Sequence, residues 1–145
     1  MVRKLASMAA LMVLLPGIST DARPLSPAQE ANIRPVGAPV SCIYIPSISD
    51  IRIRDDWTVD FYLAGRKVYR NRLPQRCTGL GLEERFSYTR TASELCSSDA
   101  ITVQRGFTSV TPGPTCSLGS FQQVSGAPRP IVPGPEDNMI GRPRR

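Results

Sequence analysis

Four cysteines, Cys42, Cys77, Cys96 and Cys116, limit what this chain can fold into more than any other feature. Their number is even, and no two have the close spacing of a zinc ligand pair. What precedes them sets their chemistry. Residues 1–22 carry the parts of a secretory signal: Arg3 and Lys4 at the start, an apolar run from Leu5 to Leu15 broken by Ser7, then Thr20-Asp21-Ala22. Small residues at those last positions suit a signal peptidase, so cleavage is expected after Ala22. The apolar run is about half the length a bilayer crossing requires, so the mature chain should carry no transmembrane segment. A periplasmic or secreted location is oxidising, and four cysteines there predict two disulfides. Three pairings are open. The shorter closures, Cys42 with Cys77 and Cys96 with Cys116, suit a chain of consecutive hairpins.

The chain has 145 residues, enough for one modest domain. After the signal, residues 23–41 are rich in Pro, Ala and Gly without an apolar period, and read as a linker. Residues 125–145 hold Pro128, Pro130, Pro133, Pro135 and Pro143 and read as a disordered Pro/Gly/Arg-rich tail. The disulfide-bonded domain is then expected over residues 42–124.

Inside that unit the pattern is strand. Ile51 and Ile53 alternate with Arg52 and Arg54, and in Thr58 to Leu63 the residues Val59, Phe61 and Leu63 share one face while Asp60 and Tyr62 share the other. Lys67 to Leu73 returns as a partner strand. A three-residue loop, Ala64-Gly65-Arg66, sets Asp60 opposite Arg70 and Phe61 opposite Tyr69, whereas a two-residue Gly65-Arg66 turn shifts the register by one. Further strands are expected at Ile43–Ile45, Phe86–Arg90, Ala100–Arg105 and Ser120–Val124. Leu82–Glu84 and Ala92–Leu95 suggest single helical turns. The expected fold is mainly β: a small antiparallel twisted sheet or partly closed barrel of about five or six strands, stapled by disulfides.

Cys42-Ile43, Asp55-Asp56-Trp57-Thr58, Phe61-Tyr62, Lys67-Val68-Tyr69-Arg70-Asn71, Leu73-Pro74, Phe86-Ser87-Tyr88, Ile101-Thr102-Val103 and Cys116-Ser117-Leu118-Gly119, with Cys77 and Cys96, form a further pattern. It resembles a family of short secreted proteobacterial proteins classed as a domain of unknown function, and it covers Cys42 to Val124. The resemblance implies an exported bacterial protein and no particular activity. Family hairpins carry two adjacent glycines where this chain has Gly65-Arg66.

The chain contains no histidine, which removes the usual general base and every His-dependent triad. Asp55, Asp56 and Asp60 form the best acidic group, and paired carboxylates divide acid and base roles or bind a hard cation. A bend between two strands explains Asp55-Asp56 more simply, since Asp side chains there bond nearby amides. Arg66, Lys67, Tyr69, Arg70 and Arg72 form a basic and aromatic set suited to phosphates and sugar rings, although alternation on a strand divides it between two faces. Trp57 reads as a core anchor. No cofactor and no metal site is indicated.

Removing Arg3, Lys4 and Asp21 with the signal takes the net charge from +6 to +5, nearly all of it Arg. That charge points to an anionic envelope polymer as partner, or to another envelope protein, and not to nucleic acid. The sequence therefore favours a non-enzymatic exported accessory or binding protein of the bacterial envelope. The alternatives are a small carboxylate-dependent hydrolase or metal-dependent enzyme using Asp55, Asp56 or Asp60, and an inhibitor of a secreted enzyme.

Overall fold

The structure, a computed structural model, describes residues 24–89 and 93–130. The expected signal segment with its expected cleavage point, and the expected tail from residue 131, lie outside the described residues. The first half of the chain runs through α1 (Pro27–Ala31), β1 (Arg34–Pro35), β2 (Cys42–Tyr44), β3 (Ile48–Ile53), β4 (Thr58–Leu63) and β5 (Lys67–Arg72). The second half adds α2 (Leu80–Glu83), β6 (Phe86–Tyr88), β7 (Glu94–Cys96), β8 (Ala100–Arg105), β9 (Thr111–Ser117) and β10 (Phe121–Ser125).

These strands form three antiparallel sheets and no closed barrel: a five-stranded sheet in the order β1-β10-β5-β4-β3, a three-stranded sheet β6-β8-β9, and the pair β2-β7. Alternation in β4 dictates the layering. Val59 and Phe61 point inward with Ile53 and Phe121 and meet Ile101 and Val103 of β8, Leu95 of β7, Ile43 of β2 and Leu80 of α2 in one core. Phe61 and Phe121 stack edge to face with centroids 5.6 Å apart. Burying each ring contributes about 1.5–3 kcal/mol, so this inner face is the main source of stability.

The β4–β5 hairpin has the three-residue loop, with Asp60 opposite Arg70 and Phe61 opposite Tyr69. Its backbone turns left-handed at both Gly65 (φ 74°) and Arg66 (φ 64°). At the far end of β5, the fully buried Asn71 clasps Gly119: Asn71 Nδ2 donates to the Gly119 carbonyl at 2.6 Å, and Gly119 N donates to Asn71 Oδ1 at 2.9 Å. A Cβ on Gly119 would lie 2.1 Å from the Arg72 carbonyl oxygen, so only glycine fits there.

Several expectations are corrected. There are ten short strands among the described residues rather than five or six. The disulfides are Cys42–Cys96 and Cys77–Cys116, not the two short closures. The reason is topological: β2 pairs with β7, so Cys42 lies directly opposite Cys96, and consecutive strands pair as hairpins only in β3-β4-β5 and in β8-β9. Cys77, in the segment after β5, then reaches Cys116 in β9. Glu94-Leu95-Cys96 is strand and not a helical turn, because it serves as the partner of β2.

The segment before Cys42 is more than a linker, and the first residues of the expected tail belong to the fold. β1 pairs with β10 through Arg34 opposite Ser125 and Pro35 opposite Val124. Ile33 and Ala127 pack on Tyr62, Val68 and Val124, covering the outer face of the five-stranded sheet. α1 begins with a full capping box: Ser26 Oγ accepts from Gln29 N at 3.2 Å, and Gln29 Oε1 accepts from Ser26 N at 2.9 Å.

Peptide mapping of the unreduced protein should recover Cys42 linked to Cys96 and Cys77 linked to Cys116; a Cys42–Cys77 peptide would overturn the topology. Replacing Cys77 and Cys116 by Ser should lower the unfolding free energy by about 2–4 kcal/mol, read by denaturant titration.

Candidate binding surface

The outer face of the five-stranded sheet is built round a charge. Asp60, in the middle of β4, has no exposed surface, and its oxygens accept from Arg70 Nε at 2.7 Å, Arg70 Nη2 at 3.0 Å and Arg54 Nε at 2.8 Å. Arg70 also meets Glu30 of α1 at 2.5 Å. Arg54 Nη2 donates to the Tyr62 hydroxyl at 2.6 Å, and that hydroxyl donates to the Pro128 carbonyl at 2.5 Å. One network therefore joins three strands to both arms. Burial disfavours the charged form of Arg70, but the bonds and charges of Asp60 and Glu30 outweigh it and raise its pKa above the usual guanidinium value. Burial, opposed by the Arg54 charge, raises the pKa of the Tyr62 phenol.

The acidic group read from sequence is dispersed. Asp60 is committed to its two arginines. Asp55 Oδ1 accepts from Trp57 N at 2.7 Å, an Asx turn. Asp56 accepts from Gly81 N at 2.9 Å and from Arg76 Nε at 3.0 Å, which pins the bend to α2. Among the described residues, the one group with metal-ligand proximity is Cys42, Glu94 and Cys96, and both its sulfurs are spent in a disulfide.

The basic set is likewise divided. Arg70 and Arg72 share the outer face. Tyr69 turns inward, packs against the core, and donates to Gln123 Oε1 at 3.4 Å. Arg66 and Lys67 stand exposed at the hairpin end. There they meet Arg129, which the sequence reading did not select because nothing in a Pro-rich tail signals that it folds back. The three cations line a depression of about 320 Å³ with Leu63, Val68 and Pro130. Within the described residues, none of the three has an ion pair or hydrogen bond.

Trp57 also departs from expectation. It is 44 % exposed instead of buried, and it lines an open depression of about 520 Å³ with Pro24, Arg54, Asp55, Asp56 and Arg76. The bend is fixed by its backbone, with Leu73 N donating to the Trp57 carbonyl and Cys77 N to the Asp56 carbonyl, both at 2.9 Å. The inner face is already filled by Ile53, Val59 and Phe61, so the indole has no core to enter.

No helix of the described residues is long and apolar enough to cross a membrane. No family model, curated protein or solved structure matches the chain.

Removing Asp60 leaves the largely buried Arg54 without its counter-charge and Arg70 with Glu30 alone, so Asp60→Ala should cost about 3–5 kcal/mol. Asp56→Asn, whose ion pair is with the exposed Arg76, should cost under about 1 kcal/mol by the same denaturant measurement. Tyr62 has a folded pKa above its unfolded one, so its contribution is complete below the ordinary phenol pKa of about 10 and is lost as pH rises through the folded value. Stability should therefore fall more steeply above pH 10 in the wild type than in Tyr62→Phe.

Proposed function

We propose that this is an exported, non-enzymatic binding protein of the bacterial envelope, cleaved after Ala22, that holds an anionic polymer at the end of its β4–β5 hairpin. The observation that carries the reading is the convergence of Arg66, Lys67 and Arg129 on one half-apolar depression. Asp50 also lines it, but its carboxylate is engaged by Arg52 at 2.8 Å, so the field there is positive. Guanidinium and ammonium groups without partners among the described residues present their donors to phosphate or carboxylate.

Two disulfides suit an oxidising compartment, which supports the export reading. The resemblance of residues 42–124 to a family of short secreted proteobacterial proteins points the same way. The hydrolase alternative loses support because Asp55, Asp56 and Asp60 each serve an internal bond, and the buried Asp60 is held apart from the other two by its arginines.

The backbone at Arg66 adds an argument. A non-glycine residue at positive φ is strained by about 1–2 kcal/mol, and such strain concentrates at functional sites. Glycine would relieve it and would remove one cation. Arg66→Gly should therefore keep or raise the melting temperature while weakening polyanion binding.

The test is a thermal shift with polyphosphate and with polygalacturonate, using neutral dextran as control. Both polyanions should raise the melting temperature at low salt, and the shift should shrink as salt rises. A triple variant, Arg66→Gln with Lys67→Gln and Arg129→Gln, should lose the shift. A shift that survives in that variant, or equal shifts with dextran, would exclude this site.

A further inference from the structure

At the opposite end of β4 from the hairpin, the Trp57 depression has a different character. Its charged lining residues are Arg54 and Arg76 against Asp55 and Asp56, and Arg54 is already paired with Asp60, so the wall carries no net positive charge. An anion gains nothing net from that wall. A hydroxyl, which donates and accepts at once, finds both partners there: Arg76 donates Nε to Asp56, Arg54 uses two of its five N–H donors on Asp60 and Tyr62, and Asp55 has spent one oxygen on Trp57 N.

The platform is rigid as well as open. Asp55 and Asp56 hold the bend through their side chains, and α2 presses on it so closely that a Cβ on Gly81 would sit 3.1 Å from the Asp55 backbone. Cys77, whose N–H bonds the Asp56 carbonyl, is itself locked by its disulfide to Cys116. The indole is thus presented on a fixed bend, with no side-chain bond to another of the described residues. A flat aromatic face beside balanced donors and acceptors fits a ligand with one apolar face and a ring of hydroxyls.

We propose that the Trp57 depression binds a neutral sugar ring, stacked on the indole, with its hydroxyls bonded by Asp55, Arg54 and Arg76. This site is separate from the cationic depression at the hairpin end, and it stands whether or not that depression binds polyanions.

Trp57 is the sole tryptophan of the chain, so its fluorescence reports this one site. Cellotetraose and chitotetraose are titrated into the disulfide-bonded protein. At least one should change the emission saturably, protect the indole from acrylamide quenching, and do so equally at low and high salt. Trp57→Ala should reduce the affinity measured by calorimetry about tenfold or more. The triple variant of Arg66, Lys67 and Arg129 should bind the sugar as the wild type does. No emission change and no acrylamide protection with either sugar would overturn the proposal, as would calorimetric binding that persists undiminished in Trp57→Ala. Acrylamide protection needs no substitution, so the test holds even if Trp57→Ala folds poorly.

Discussion

A carboxylate with no exposed surface governs the outer half of this molecule. Asp60 would be costly in the middle of a sheet face unless paired, and it is met by Arg54, just after β3, and by Arg70 from β5. Two guanidinium groups over-compensate one carboxylate, and Glu30 restores the balance from α1. The N-terminal segment is therefore part of the charge balance of the sheet and more than a decoration on it. Tyr62, bonded to Arg54 on one side and to the Pro128 carbonyl on the other, draws the C-terminal segment over the same face. With the middle of the face neutralised internally, three cations stand open to a partner at the hairpin end, where Arg66, Lys67 and Arg129 line one depression.

The inner half rests on different physics. Val59, Phe61 and Phe121 meet Ile101 and Val103 in a core too small to be strongly stable alone, and the two disulfides interlock across it. Their interleaved order in sequence ties early strands to late ones, so neither half of the chain can separate from the other. Cys77–Cys116 has a local effect too: it anchors the segment that bonds the Asp55-Asp56-Trp57 bend. Covalent stapling for stability and presentation of an exposed indole are in this way served by the same bond.

Much of the inner fold was legible in the sequence because it is local. The period-two alternation of Thr58–Leu63, the loop Ala64-Gly65-Arg66 and the returning Lys67–Arg72 determine one another, and the structure has β4, β5 and β8 within the expected bounds. Of the two registers, the longer loop pairs Asp60 with Arg70, and that pairing is the buried ion pair. What escaped was non-local. Cys42 meets Cys96 through a strand pairing that skips four strands, and no spacing rule encodes it. β9 contains Pro112, Gly113 and Pro114, which argue against a strand, yet it lies at the edge of its sheet with a register shift opposite Thr102–Gln104, where missing donors are tolerated. For the candidate sites, Arg66 and Lys67 were legible as a basic turn, whereas Arg129 and the exposure of Trp57 depend on how distant segments fold back.

The N-terminal arm is the element on which both halves of the surface depend, and it is the least secure. α1 has five residues and buries none of them, well below the length at which a helix holds itself in water. It is attached through the Glu30–Arg70 pair, the packing of Ile33, the short pairing of β1 with β10, and the bonds of Val36 and Gly37 to β10. Pro24, just ahead of it, forms part of the wall of the Trp57 depression. Seating the arm therefore does two things at once: it completes the charge balance over Asp60 and it closes one side of the indole platform. Because the arm gains little from its own apolar surface, the ion pair carries a larger share of its attachment than such pairs usually do, and the half-exposed side of Glu30 makes that share sensitive to salt. The order of the Trp57 site is in this sense set by a carboxylate on the far side of Arg70.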